Sequence, residues 1–469
     1  MTDQPTPPAV RSFRLYRSVP VDAPLDLQDA PREEPLRPLH PEMVTATMEA
    51  IRDDAANADL PTTLVLDATA NGASDIHLDP TGDGCVVRFR INGVLYDAAE
   101  FLADSTQRLV NQIKGAAEID PTRSFTPQEG RWRLEIDERP IDLRVTTIPS
   151  VAGDKIAIRL LDPQRANQQL DSIGLSEADL SQLNHWADNP DGLLLTVGPT
   201  GSGKTTTLYA LLQRFRTSAR SIVTVEDPVE YRLEGLTQVQ VNERQGLTFP
   251  AAIRSMLRLD PNIVMVGEVR DNASATAAAE AAITGRVVMS SLHCRDAAGA
   301  VTALRNRGVS NHQIAASLRV VVAQRLVRRL DPDARIEVQP DEADLHWLKV
   351  MGKPAPSVCY DTPAHAGRHA LTGEGRIGVY ELLELTEPEI ELILADASER
   401  EIRNALVARG HDTLVDDGLA KVEAGLISLA DLRQAVGVSR ATSAMSDDVP
   451  APGNPAPGMS GDEPGLALA

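Results

Sequence analysis

The chain has 469 residues, with 67 acidic against 46 basic side chains and a formal net charge of -21, which tells against nucleic acid as the main partner because phosphate binding needs a basic surface. No apolar run of about eighteen residues occurs, so no membrane-spanning helix is written in it, and Met1 to Leu39 lacks the basic start and apolar centre of a signal peptide, which makes the cytoplasm the expected compartment. Cys85, Cys294 and Cys359 stand far apart without a C-x-x-C pair, which excludes a disulfide framework and a four-thiolate zinc site within one chain.

Residues 1–60 read as an N-terminal arm, rich in proline up to about residue 42, with a weak helical pattern through Met43, Met48 and Ile51. From Pro61 to Leu161 the pattern turns to period two. Val87, Phe89 and Ile91 share one face of a strand, Arg88 and Arg90 the other, and Asn92-Gly93 supplies a hairpin turn. The alternation recurs in Ile141-Asp142-Leu143-Arg144-Val145 and in Lys155 to Leu160. A small sheet domain over residues 61–165 is expected, apolar on one side and studded with arginines on the other, Arg131 and Arg133 included. Those arginines are either a solvated strand face or charge stabilisers turned towards a ligand.

Ser176 to Asp179 has the form of a capping box, so a helix through Leu180 and Leu183 links that domain to the next apolar strand. That strand, Leu193 to Val197, runs into Gly198-Pro199-Thr200-Gly201-Ser202-Gly203-Lys204-Thr205-Thr206, and a helix-forming stretch leaves it. This is G-x-x-x-x-G-K-T in the strand-loop-helix context of a P-loop. Gly198, Gly201 and Gly203 let the backbone wrap so that N–H groups face phosphate oxygens; Lys204 supplies charge for the β- and γ-phosphates, and the Thr205 hydroxyl is placed for Mg²⁺. A glycine-rich turn that binds nothing has no use for the lysine and threonine.

Strand and helix patterns alternate beyond it: strands at Ser221 to Val225, Leu236 to Val241, Ile263 to Val266 and Val287 to Ser290, helices at Pro250 to Leu259 and Asn272 to Ile283. Open α/β sheets bind ligands at such strand ends, and here they carry Glu226-Asp227-Pro228-Val229-Glu230, Glu268 and His293. Glu268 after an apolar strand has the form of a Walker B acid, able to polarise water or hold the Mg²⁺ shell, although an acid in that position is common, and a lone histidine is more often structural than catalytic.

Val225 to Tyr231, Met265 to Asp271 and Ser290-Ser291-Leu292-His293 resemble, in that order, the Asp box, Walker B and His box of the type II secretion and type IV pilus assembly ATPases. Ala73 to His77, Arg88 to Leu95, Gln128 to Arg131, Ala323 to Arg328 and Gly375 to Leu383 match further stretches of that family, so the resemblance covers about residues 61–440. It implies an α/β fold: a RecA-like P-loop ATPase core (residues 166–330), an N-terminal PAS-like α+β sheet domain and a C-terminal helical subdomain (376–440). It further implies ATP and Mg²⁺ as ligands, a homohexamer, a platform protein at the cytoplasmic face of the inner membrane as partner, and no direct nucleic-acid partner. Under it Glu268 activates or positions water, Glu226 and Thr205 serve the metal shell, His293 senses the γ-phosphate, and Arg131, Arg144 and Arg159 reach towards the phosphates.

The departures matter as well. The place of the first zinc-binding cysteine pair holds Asp331-Pro332-Asp333-Ala334, so residues 331–375 are expected to be a metal-free variable loop, with Cys359, His365 and His369 as the alternative metal ligands. Arg286 replaces the usual first histidine of the His box, Asn92 a usual aspartate, and the N-terminal region is short. Helices are expected at Glu387 to Ala395, Glu399 to Arg409, Leu414 to Ala424 and Ser428 to Gln434, with Gly410 and Gly425 at C-caps, before a disordered tail over 441–469. The function expected is an ATP-hydrolysing motor for pilus assembly or secretion; a nucleotide-dependent scaffold and a DNA-translocating hexamer are the competing readings.

Overall fold

The computed structural model describes residues 41–47, 59–120, 122–123, 125–136, 139–161, 168–217, 219–363 and 375–437. Met48, Ile51, His365, His369 and the expected tail fall outside them. No helix of the described residues is long and apolar enough to cross a membrane.

The N-terminal domain is one antiparallel sheet of β1 (Ala73–Thr81), β2 (Gly84–Ile91), β3 (Val94–Leu102), β4 (Gln128–Ile136), β5 (Arg139–Ser150) and β6 (Gly153–Leu161), in the order β3-β2-β1-β6-β5-β4. Asn92 and Gly93 both have positive φ, as a two-residue hairpin turn demands. Val87, Phe89, Leu143, Val145, Ile156 and Ile158 are buried against the helices Leu60–Ala70 and Ala103–Ala116. The opposite face carries a row that the pairing register aligns across five strands: Arg131 opposite Arg144, Arg144 opposite Arg159, Arg159 opposite Asp75, and Asp75 opposite Arg90. Residues 41–47, grouped with the arm in the sequence, pack into this domain: Met43 and Val44 are buried, and the buried Asp67 carboxylate accepts from Ala46 N and Thr47 N, each at 2.9 Å.

The core is a seven-stranded sheet built from β7 (Leu193–Val197), β8 (Ile222–Glu226), β9 (Thr237–Gln240), β10 (Ile263–Val266), β11 (Val287–Leu292), β12 (Leu318–Arg328) and β15 (Arg376–Glu384), ordered β15-β12-β7-β11-β10-β8-β9. All pairs are parallel except β12 with β15. The strand β15 lies in the stretch assigned to the helical subdomain; Val379, Tyr380, Leu382 and Leu383 are all buried, so this run closes the core sheet as an antiparallel edge.

Residues 331–363 also hold more structure than a variable loop. β13 (Ile336–Val338) pairs with β14 (Cys359–Asp361), and the helix Glu342–Met351 buries Trp347. Polar contacts fasten the insert to the C-terminal helices: Arg335 stacks over Tyr360 with 4.8 Å to the ring centroid and donates to Gly425 O, Lys353 pairs with Asp416, and Arg433 donates to Asp344 at 2.8 Å. Those helices run Glu387–Leu394, Glu399–Ala408, Leu414–Glu423 and Leu429–Val436, close to the expected bounds, and Gly410 and Gly425 have the positive φ of C-cap positions.

Candidate nucleotide site

β7 is buried along its whole length and delivers the chain into the loop at the centre of the sheet. Gly198, Gly201 and Gly203 have φ of 155°, 77° and 90°. A Cβ on Gly198 would lie 2.5 Å from both Gln324 O and Ser202 Oγ, so the loop presses onto β12 there. Gln324, buried on β12, also donates its Nε2 to Ser202 O at 2.7 Å and so holds the loop from below. The helix Lys204–Phe215 starts from Gly203 without a side-chain cap, which leaves its first-turn N–H groups to whatever anion the loop cradles. Lys204 Nζ donates to Gly198 O and Pro199 O, at 2.9 Å each. Burial pulls its pKa down, and the Glu268 carboxylate opposes that shift. Pro199, Thr200 and Thr205 are exposed at the loop and helix start, Thr206 is half-buried, and Ser202 is buried with no hydrogen-bond partner for its Oγ among the described residues. The glycine cradle, the uncapped helix and a lysine followed by a hydroxyl fit a nucleotide phosphate chain with Mg²⁺.

Because β11, β10 and β8 follow β7 in the sheet and run parallel to it, their carboxyl ends open on the same edge as the loop. Hydrogen bonds between these ends keep them in step: Gly198 N to Leu292 O at 3.3 Å, Gly267 N to Val225 O at 2.8 Å, and Val269 N to Ser291 O at 3.0 Å. Glu268 and His293 meet there, Oε1 to Nε2 at 3.2 Å. Arg270 donates its Nε to Glu268 Oε2 at 3.2 Å and its Nη1 to Asp227 Oδ2 at 2.9 Å, which ties the Walker B and Asp box turns together.

Glu226 is placed differently. Its buried carboxylate accepts from Tyr209 Oη of the P-loop helix, from Thr224 Oγ1 at 2.5 Å and from Gln238 Nε2 at 3.3 Å. Burial raises its pKa, against the pull of those donors. Its partners are thus core groups, separate from the Glu268–His293 pair.

The three arginines of the sheet domain lie beside the β8–β9 end. Arg131 Nη2 donates to Gln240 Oε1 at 3.1 Å, Arg144 Nη2 to Glu129 Oε2 at 3.1 Å, and Arg159 Nε to Asp75 Oδ1 at 3.2 Å. Glu230 feels the charges of Arg159 and Arg144, though burial raises its pKa. A cavity of about 280 Å³ separates Ser74 and Asn92 of the sheet domain from Gly203, Thr206, Arg376 and Tyr380 of the core.

Arg270, Tyr209, Gln238 and Gln324 join the site beyond the residues to which the sequence motifs point. Arg270 stands in the Walker B stretch and Gln324 in the Ala323 to Arg328 match, so both had a signal; Gln238 had none. Among the described residues no group of three or more histidine, cysteine and acidic side chains is arranged to hold a metal ion. Cys359 is buried on β14, with its thiol pKa raised by burial.

The fold and the loop together define a P-loop nucleoside triphosphatase with a RecA-like core. The chain belongs to the family described as "Type II/IV secretion system protein", whose model matches residues 50–434. It is 39% identical over 382 residues to the type II secretion system ATPase E of Vibrio cholerae serotype O1, covering 81% of this chain and 75% of that one. It is 37% identical over 391 residues to the type IV pilus assembly ATPase PilB of Acinetobacter baylyi, covering 82% and 67%. Among solved structures, the Legionella pneumophila ATPase DotB matches with a TM-score of 0.60 at 21% identity over 80% of this chain and 94% of that chain. The pilus retraction motor PilT with bound ADP matches at 0.54 and 21% over 81% and 97%.

Proposed function

We propose that this chain is an ATP-hydrolysing motor of a pilus-assembly or type II secretion machine, working as a homohexamer at the cytoplasmic face of the inner membrane on a platform protein. The observation that carries the reading is Lys204, at the start of an uncapped helix, on the same sheet edge as the Glu268–His293 pair. In this reading the backbone N–H groups of 198–203 and Lys204 bind the phosphate chain, and Thr205 holds Mg²⁺, which neutralises phosphate charge when bound. Glu268 takes the proton of the attacking water as its oxygen bonds the γ-phosphorus and the bond to the β–γ bridging oxygen breaks. His293 fixes the orientation of Glu268 and senses the γ-phosphate. Glu226 is the second carboxylate, and to reach the metal shell its side chain has to leave Tyr209 and Thr224. Arg131, Arg144 and Arg159 approach the phosphates by movement of the sheet domain.

Phosphate release by the purified protein with Mg²⁺ and ATP tests the reading. Turnover well above that of Lys204→Ala is expected; a rate equal to that of the variant would leave a nucleotide-dependent scaffold instead.

A further inference from the structure

On the side of the core that meets the C-terminal helices, one buried carboxylate serves two helices. Ala297 N donates to Glu381 Oε1 at 3.2 Å, and the N–H of Leu414 bonds the same carboxylate. Each is the first N–H of its helix, Ala297–Arg305 and Leu414–Glu423. The N-cap side chains do not reach these groups: Asp296 accepts from Gly299 N at 2.9 Å, and Thr413 forms a capping box with Asp416. Two positive helix ends therefore converge on Glu381.

One of these helices follows directly from the His293 segment. Arg403, on the helix Glu399–Ala408, donates to Asp296 Oδ2 from Nε at 3.0 Å and from Nη2 at 2.7 Å. Arg325 Nη2 donates to Arg295 O at 2.7 Å. The stretch from His293 to Ala297 is held from β12, from β15 and from the C-terminal helices at once.

We propose that Glu381 is a positioning residue: by capping Ala297–Arg305 and Leu414–Glu423 together, it locks the C-terminal helical subdomain to the segment that aims His293 at Glu268. This rests on the reading of that pair as hydrolytic. The groups facing Glu381 are Asp296, Arg403, Cys294, Arg325 and His411, whose Nε2 is 4.0 Å from Oε1. Burial and then Asp296 push Glu381 up to about 7, with the two N–H bonds and Arg403 opposing. Burial pulls the His411 imidazole down, with the charges of Asp412, Asp179 and Glu389 opposing. As a carboxylate, Glu381 accepts both N–H bonds with its full charge; protonated, it loses that charge and one oxygen becomes a donor with less capacity to accept, so its hold on the two N–H groups weakens. The lock is therefore fastened above about pH 7 and loosened below it.

Amide exchange on the full-length wild-type protein, corrected for intrinsic rates, tests this directly. From about pH 6 to about pH 8 the first turns of both helices should gain protection together by roughly tenfold, while the helix Asn311–Ser317, capped by Ser310 and Gln313, should not change. No joint gain would overturn the proposal. In Glu381→Gln the gain should vanish, and kcat at about pH 8 should fall roughly tenfold with KM for Mg-ATP within about twofold. A KM effect with kcat intact, or the wild-type pH profile, would overturn it too. If the variant does not fold, wild-type exchange still decides. Wild-type turnover no better than Lys204→Ala would sink the ATPase reading while leaving the lock testable.

Discussion

Two glycines of the same loop should respond very differently to one added methyl group. A Cβ on Gly198 would sit 2.5 Å from Gln324 O and from Ser202 Oγ, where real Cβ atoms stay beyond 3.0 Å. Gln324 O cannot retreat freely, because it belongs to the paired strand β12 and accepts from Arg325 Nη1 at 2.8 Å. The loop must therefore move by about 0.5 Å or more at the point where its N–H groups meet phosphate. Losing one N–H bond to a charged phosphate oxygen through such a shift costs about 1.5–3 kcal/mol, or roughly 10–150-fold in affinity. A Cβ on Gly201 meets nothing within 4 Å, so Gly201→Ala carries only the strain of φ 77°, about 1–2 kcal/mol, which is shared by the free and bound loop and so costs at most roughly 5–30-fold in affinity. Titration with a fluorescent ATP analogue should show Gly198→Ala binding about a hundredfold more weakly than wild type and Gly201→Ala clearly less impaired. Equal affinities, or the reverse order, would refute the argument that contact with β12 shapes the loop.

Glu268→Gln should keep ATP bound while phosphate release falls by about 10²–10⁴-fold, measured in single turnover; an unchanged rate removes Glu268 from the water-activating role. Tyr209→Phe deletes a donor to the buried Glu226 carboxylate. It should lower stability in chemical unfolding by about 1–3 kcal/mol, more at alkaline than at acid pH because the ionised form loses the bond; a loss independent of pH would count against that cause. Burial, then Lys155 and Arg90, hold His77 down from 6.5 to about 4, so the unfolded chain takes up a proton that the folded one refuses. Stability from this group is complete above 6.5 and lost on acidification towards 4, so the Tm of His77→Gln should fall less steeply than that of wild type over this window; parallel curves would show that His77 has no part in acid sensitivity.

The P-loop was legible because its glycines answer a local backbone demand, seen again in the positive φ of Gly198, Gly201 and Gly203. The arginine face was legible as period two, but the alignment of Arg131, Arg144 and Arg159 was not, since register across three strands depends on turns far apart in the chain. Glu226 and Glu268 looked alike, each an acid at the end of an apolar strand. They diverge because Glu226 is the last residue of β8, with Thr224 on the same face beneath the P-loop helix, whereas Glu268 lies beyond the end of β10 in a turn. Which face a helix covers is a tertiary fact. The run Val379 to Leu383 was ambiguous for a related reason, because a short apolar stretch fits a buried strand or a helix equally until its partner β12 is known.

Strand order then decides how the loop communicates with the sheet domain. β8 lies three strands from β7, about 14 Å across the sheet, so Glu226 cannot be joined to the loop by strand neighbours. The P-loop helix spans that distance: Tyr209, in its second turn, donates to Glu226, and Glu226 in turn accepts from Gln238 on β9. Gln240, further along the same strand, accepts from Arg131 of the sheet domain. The sheet domain thus touches the core where Glu226 is anchored, and a rotation of the P-loop helix bears on that strand end through Tyr209. Glu226 thus sits at the joint between the two domains, and its donors Tyr209, Thr224 and Gln238 give a physical reason why a carboxylate is tolerated in so buried a place.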